Sequence, residues 1–436
     1  MSLFNSSLFK HPEFKKYFAN ISWLMAEKIL RAIVNLFVGA YVARYLGPEQ
    51  FGLLSYAVSF VFLFSPLIML AHEGIIVREL VNSPEQRDTI LGTSFWLKMM
   101  GAVLAFLALA GILPLTSNDF YTNLLIFFIA GGLFLQSFNV IDSYFQSKIL
   151  SRNVVVPQIC QLIISSLVKL FLIFIKAPLL WFALIFLLDN FILEIFLIFV
   201  YKKQHFSLSA WQFSCPMAKN ILRMSLPLFF SGIFISIYMR IDQMMIKEML
   251  GTRSVGTYAV AVTVCELWYF LPMIITSSFF PAILEAKKMN NNLYSSRIQR
   301  LYKLMVALSV GIAISLTILA KPIILLLFGE QYSPAIDVIK IYIWINIFVS
   351  LGVASGKWLL SEGLQIFSIY RTLLGAIINI LMNFLLIPKL QLIGAAISAL
   401  FSYFTATFII NLIPREDFRK NAILMYKAFF PFFKEH

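Results

Sequence analysis

Glu27, Lys28, Arg31 and Asn35 interrupt one long apolar run, and Lys98, Asp189, Arg240, Asp242 and Glu266 interrupt others. A charge held deep in an apolar helix costs about 2.5–3.5 kcal/mol at the centre of a bilayer, so it is kept for a reason. Three kinds of chemistry fit these residue types. A carboxylate and a cation can neutralise each other. A cation can line a wet cavity and hold an anion, Arg through a two-pronged contact and Lys as a point charge. A carboxylate can titrate and couple movement to protons or another cation.

Spacing sorts the positions without choosing among these uses. Lys28, Arg31 and Asn35 fall on one helical face, and Glu27 stands four residues before Arg31, the favourable order for a pair. Two readings therefore stand for this cluster: Glu27 neutralises Arg31, or Lys28 and Arg31 serve a cavity. Lys98, in "FWLKMMGAVL", has no carboxylate one helical turn away and needs a partner on another helix, or water. Arg240 and Asp242 are two residues apart and do not face each other, so at least one must find something outside its own helix. For Arg240 the alternatives are a cavity, outward snorkelling or a carboxylate elsewhere. Asp189 and Glu266 either pair with a base or couple transport to ions. Asp142, Lys303, Lys357 and Arg371 stand nearer the ends of their runs, where snorkelling or pairing accounts for them. Trp23, Tyr269 and Trp358 suit either sugar stacking or anchoring at the membrane interface.

Other chemistries find no footing. There is no G-x-x-x-x-G-K-[ST] loop, so ATP does not drive this chain directly. His11, His72, His205 and His436 make no metal-ligand spacing, and Cys160, Cys215 and Cys265 make no C-x-x-C pair. No cofactor and no metal site are expected.

The elements that must position these charges are transmembrane helices. The chain is 60% hydrophobic and 13% charged, with mean hydropathy +0.85. An average soluble domain is about a quarter charged. A net charge of +14 fits cytoplasmic loops facing anionic headgroups better than nucleic acid, because no basic domain stands outside the apolar runs. The first residues do not read as a cleaved signal peptide. Twelve runs are long enough to span: 17–45, 51–77, 89–113, 120–147, 154–175, 177–201, 219–249, 254–283, 301–320, 335–360, 366–388 and 391–413. Their apolar character is continuous rather than alternating, which excludes a barrel.

With the N-terminus inside, loop cations divide 22 inside to 6 outside, so both termini are expected in the cytoplasm. The predicted organisation is an N-lobe at 1–203, a cytoplasmic linker at 204–218, a C-lobe at 219–414 and a basic, aromatic tail at 415–436. The tail reads either as an interfacial segment or as a frayed end. The two lobes share a phrase. "YLGPEQFGLLSYAVS" at 45–59 returns as "MLGTRSVGTYAVAVT" at 249–263, with Gly47 and Gly52 matching Gly251 and Gly256 at a constant offset of 204 residues. Each copy ends an odd-numbered helix with a tight outer turn. Six helices per lobe is an even number, so the repeat runs parallel, about an axis along the membrane normal, with a site near the interface of the lobes.

"YVARYLGPEQFGLLSYAVSF" (41–60), "RIDQMMIKEMLGTRSVGTYAVA" (240–261) and "LFGEQYSPAIDVIKIYIW" (327–344) resemble the polysaccharide exporters of the multidrug/oligosaccharidyl-lipid/polysaccharide exporter superfamily. The resemblance runs over nearly the whole chain, with Thr252 standing where the first copy has Pro48. It implies an all-α integral membrane protein of twelve transmembrane helices in two pseudo-symmetric six-helix lobes around a central cavity. It also implies a flippase, not an enzyme. The expected cargo is an undecaprenyl-diphosphate-linked oligosaccharide, by family habit an O-antigen repeat unit of lipopolysaccharide, turned across the bacterial inner membrane to the periplasmic leaflet by alternating access. The tail is too short for the two extra spans of the lipid II branch.

On this reading Lys28, Arg31, Lys98 and Arg240 form a cationic cavity for the diphosphate. Glu27, Asp189, Asp242 and Glu266 serve ion coupling or charge pairing, with a proton or sodium gradient as the open choices. Expected partners are the lipid-linked substrate, membrane lipids and a downstream glycan polymerase, and not nucleic acid. Two alternatives remain. A drug or organic-cation exporter would want an acidic cavity, and a membrane glycan polymerase would want a large outer loop.

Overall fold

Glycine at 47 decides the shape of the first element. In a computed structural model describing residues 12–364, 366–413 and 415–429, the helix α1 (Pro12–Phe64) is broken at Gly47, whose φ of 72° and ψ of 169° no helix contains. That region is open essentially to glycine alone. His11 and His436, and the segments 1–11 and 430–436 of the expected N-lobe and tail, lie outside the described residues.

The remaining helices follow in chain order: α2 (Glu73–Asn82), α3 (Arg87–Ile112), α4 (Phe120–Leu135), α5 (Val140–Ser147), α6 (Arg152–Phe174), α7 (Leu179–Lys203), α8 (Cys215–Leu250), α9 (Thr252–Glu266), α10 (Phe270–Met289), α11 (Asn291–Ile323), α12 (Ala335–Tyr342), α13 (Ile345–Ser361), α14 (Ile366–Phe408) and α15 (Glu416–Phe429). Among the described residues ten helical segments are long and apolar enough to cross a membrane. The chain is a multi-pass, all-helical membrane protein. The first segment, Ser22–Asn82, has 61 residues. Unbroken, it would be about 90 Å long, three times the hydrocarbon thickness of about 30 Å. The second break lies in α14 at Gln391, with φ 52° and ψ −130°. There the chain doubles back so tightly that a Cβ on Gly394 would strike the Leu386 carbonyl.

Several expected helices are interrupted. The predicted helix 51–77 stops at Phe64, passes through a 3-10 turn at Ser65–Leu70 and restarts as α2. Pro66 lies in that turn and supplies no backbone N–H. The predicted helix 254–283 breaks similarly at Leu267–Tyr269, and 335–360 divides into α12 and α13. The predicted linker 204–218 is shorter than expected, because α8 already begins at Cys215.

The chain divides into two compact units. One is Met1–Val42 with Phe60–Gly232, the other Ala43–Ser59 with Ile233–His436. In the first, the linker is clamped to α3: Gln212 N–H donates to Asp88 O (3.2 Å), and Ser214 N–H to Thr93 Oγ1 (3.1 Å). A Cβ on Gly101 would collide with the Leu67 carbonyl, so α3 crosses the 3-10 turn backbone to backbone. Lipid tails are as apolar as leucine, so close backbone approach, rather than apolar burial, holds such helices together.

In the second unit the repeated phrases meet. A Cβ on Gly52 would strike the Thr252 carbonyl, and one on Gly256 the Pro48 carbonyl. The exchange is reciprocal, each copy pressing its glycine on the start of the other's turn. Gly251 repeats the backbone of Gly47 (φ 84°, ψ 172°). Tyr332, fully buried, touches both sides of the first break. Its hydroxyl donates to Ala43 O (2.8 Å) and its ring stands edge-on to Phe51. Burial pushes its phenol above the usual pKa.

The tail is not frayed over its described part. Helix α15 buries Phe418, Asn421 and Met425 in a core with Tyr302, Leu351 and Trp358. Tyr302 donates to Asn421 Oδ1 (2.7 Å), and Trp358 packs edge-on to Phe418 (5.7 Å between centroids). Trp358 is therefore a core residue.

Candidate functional site

The charges assemble into three groups within the first unit. On α1, Glu27 is fully buried and receives both neighbouring cations. Arg31 Nε donates to Glu27 Oε1, and Lys28 Nζ lies 3.4 Å from Glu27 Oε2. Arg31 is pinned further by α6, donating to Gln161 Oε1 and Gln158 O, each at 3.2 Å. The neutralising reading thus describes Arg31. Lys28 keeps half its side chain exposed (53%), so it alone of this group can reach outward.

Lys98 on α3 is buried and finds its partner on α2. Glu73 Oε1 lies 3.7 Å from Lys98 Nζ, an ion pair too long for a hydrogen bond. The break after Pro66 makes this possible, because it restarts the chain at Glu73 in the first turn of α2. His72 caps that helix, its Nδ1 accepting from Gly74 N–H (3.1 Å). Lys98, Glu73 and His72 line a cavity of about 300 Å³ with Ser65, Gln136 and Asn139. Glu194 on α7 and Asp142 on α5 face the same charges. Asp142 accepts from Gln146 (2.9 Å). Glu194 is buried, and neither of its carboxylate oxygens has a hydrogen-bond partner. The third group is Asp189 on α7, 3.5 Å from Lys169 on α6.

In the second unit, Arg240 on α8 donates to Glu266 at the end of α9 (3.3 Å). Asp242, two residues on, points elsewhere. It is buried and accepts from Tyr258 Oη (2.8 Å) and Asn383 Nδ2 (2.5 Å). Its negative charge is held by neutral donors.

Sequence reasoning missed Glu73 and Lys169 as partners, and it missed Glu194 altogether. It also missed Asn379 and Asn383, fully buried on α14. Their four-residue spacing in an apolar run was a readable sign of a shared polar face.

Comparison with known proteins follows this geometry. Residues 17–287 match the family described as Polysaccharide biosynthesis protein. The chain belongs to that family. A second match, to MatE, covers residues 227–385 of this polysaccharide biosynthesis protein. Among curated relatives, the capsular polysaccharide biosynthesis protein CapF of Staphylococcus aureus is 22% identical over 400 residues, covering 89% of this chain and 96% of the relative. Two solved structures share the fold. An inward-facing multidrug resistance MATE family transporter of the MOP superfamily has a TM-score of 0.74 at 15% identity, over 91% of this chain and 96% of the other. The lipid II flippase MurJ, in an inward closed conformation, has 0.68 at 14% identity, over 94% and 93%. The architecture of this polysaccharide biosynthesis protein is thus the MATE/MOP transporter fold.

Proposed function

We propose that the protein is a flippase that turns an undecaprenyl-diphosphate-linked oligosaccharide from the cytoplasmic to the periplasmic leaflet of a bacterial inner membrane by alternating access. The observation that carries this reading is the polysaccharide biosynthesis family match over residues 17–287, on a chain with the MATE/MOP fold. The cargo that the resemblance to polysaccharide exporters implies is an O-antigen repeat unit. The name of the Staphylococcus aureus relative adds a capsular unit as the same class of cargo.

In this reading the ten spans become twelve helices, because the breaks at Gly47 and Gln391 are reversals. They form two six-helix lobes, with both termini in the cytoplasm. Moving a diphosphate and its sugars through hydrocarbon would cost tens of kcal/mol on an idealised Born scale. A wet cationic path removes that cost while the polyprenyl tail stays in lipid. Lys28, Arg31, Lys98 and Arg240 meet the diphosphate. All four exchange their carboxylates, Glu27 (shared by Lys28 and Arg31), Glu73 and Glu266, for phosphate oxygens, and Lys28 is the most exposed of the Glu27 group. Asp242, whose charge no base neutralises by contact, is the ion-coupling carboxylate.

The MatE match over 227–385 favours a second reading, an ion-coupled exporter of drugs or organic cations. One experiment separates the two. In a strain lacking the gene, surface polysaccharide is expected to fall to background and lipid-linked units to accumulate on the cytoplasmic side, with wild-type complementation restoring both. Unchanged surface polysaccharide with lost dye efflux would replace the flippase by the exporter. Single units on the outer face would point instead to a polymerase.

A further inference from the structure

Arg371, on the second turn of α14, neither snorkels to an end nor pairs with an acid. Its guanidinium lies across α13, with Nη1 donating to Ser355 Oγ (2.9 Å) and Nη2 to Gly352 O (3.1 Å). The seat is cut from small residues: a Cβ on Gly356 would stand 3.3 Å from Arg371 Nη2. Among the described residues no carboxylate lies within ion-pair distance of it. Its charged or titratable neighbours are the phenols of Tyr238 on α8 and Tyr302 on α11. Arginine cannot shed its proton in a protein. The positive charge therefore stays, at a partly buried site, with only neutral acceptors. A charge so placed is costly until an anion compensates it.

The space for that anion is present. Arg371 lines a cavity of about 210 Å³ with Ser368, which brings a hydroxyl, with Thr372 and Thr407, whose hydroxyls already donate to backbone carbonyls, and with Tyr238 and Tyr403, which bring aromatic walls and phenols. A guanidinium has five N–H donors, and two are spent on α13. Those two bonds fix the plane of the fork and leave three donors for a ligand. This arrangement, a pre-oriented arginine with a serine hydroxyl and two phenols around a pocket of one or two phosphate groups' size, is that of an oxyanion subsite.

From this we infer that the Arg371 pocket binds a phosphate-type oxyanion. The source is either the diphosphate of a polyprenyl-linked substrate, an identification that rests on the flippase reading, or the headgroup of an anionic membrane lipid. Arg371 differs from Lys28, Arg31, Lys98 and Arg240, each of which already has a carboxylate.

The test uses the full-length protein in phosphatidylcholine nanodiscs, with farnesyl diphosphate and inorganic pyrophosphate as probes in a calorimetric titration. Arg371→Gln is expected to weaken both by about tenfold or more, the worth of a charge-assisted contact, with Arg371→Lys weakened less. Binding by Arg371→Gln within about twofold of wild type would overturn the site. If the variant does not fold, dicarbonyl labelling of wild-type Arg371, read by mass spectrometry, decides instead. Protection by pyrophosphate supports the site, and equal labelling with and without it overturns the site. Replacing phosphatidylcholine by phosphatidylglycerol separates the sources. Competition confined to proteins carrying Arg371 supports a headgroup occupant, and no competition supports the substrate diphosphate. In cells, Arg371→Gln that loses probe binding yet makes normal surface polysaccharide keeps the oxyanion site and removes its link to flipping. Lost polysaccharide with intact probe binding overturns the site and leaves the flippase reading standing.

Discussion

The two units handle interior charge differently. In the first, the bases Arg31, Lys98 and Lys169 each lie against a carboxylate, Glu27, Glu73 and Asp189, while among the described residues the acids Asp142 and Glu194 have no base at ion-pair distance. In the second, Arg240 has Glu266, but Asp242 and Arg371 are held by neutral groups: a phenol and an amide for the acid, a serine hydroxyl and a backbone carbonyl for the base. A paired charge satisfies its own cost and fixes helices to each other. A charge held by neutral partners remains electrostatically open, and a mobile ion of opposite sign gains from visiting it. The contrast predicts that paired bases hold helices together until an anion displaces their carboxylates, and that neutral-held charges take part in ligand and ion traffic from the start.

The sharpest way to break this contrast is to remove an acid from a pair. Glu27→Gln leaves Arg31 and Lys28 facing no carboxylate in the interior of the first unit. Breaking one side of a fully buried pair costs about 3–5 kcal/mol; solvent reaches 28% of Arg31 and 53% of Lys28, so about 1–3 kcal/mol is expected here, read as a fall in melting temperature and in membrane abundance. Glu27→Gln combined with Arg31→Gln should recover part of that loss, because the stranded charge is gone. Thermal unfolding in detergent measures both. A single variant as stable as wild type would mean that Glu27 does not carry the cluster.

A smaller effect is expected at the partly exposed pair of the second unit. Arg240→Ala, Glu266→Ala and the double variant form a cycle in which coupling of about 1 kcal/mol is expected. That is less than for Glu27 because solvent reaches the Glu266 side chain (17%) but not that of Glu27 (0%), and because Glu27 holds two cations. Coupling near zero would release Arg240 from structural duty and strengthen its part in binding the diphosphate.

Much of this was legible in the residues. Continuous apolar runs gave the helices, and the offset of 204 residues between glycines gave the paired turns, because φ near +80° is a demand only glycine meets cheaply. The reciprocal packing of Gly52 and Gly256 was not legible, since nothing in one sequence says that two like turns touch. The Glu27–Arg31 pair could be read from its spacing within one helix. Lys98–Glu73 and Asp189–Lys169 could not, because their partners stand on other helices. Lys98–Glu73 further required the helix break after Pro66, which hydropathy averages away. Arg371 reads as snorkelling or pairing, and its seat was missed for a similar reason. Its distance from the helix start was visible, but the glycine and serine seat on α13 that draws it inward belongs to another segment.

The smallest effect on stability, and the one that tests the contrast most finely, belongs to Asp242. Asp242→Asn keeps the shape and removes the charge. The new amide can accept from Asn383 through its oxygen and donate to Tyr258 Oη through its nitrogen, so both contacts survive in kind. Loss of an unneutralised interior charge offsets the loss of two charge-assisted bonds. The melting temperature is therefore expected to stay close to wild type, within about 1 kcal/mol of stability. Transport should respond quite differently. If the charge serves a mobile cation, stimulation of flipping by an imposed proton or sodium gradient in proteoliposomes should vanish in Asp242→Asn while the basal rate persists. A destabilised variant with gradient stimulation intact would place Asp242 with the structural pairs, and the difference between the two units would then rest on Arg371 alone.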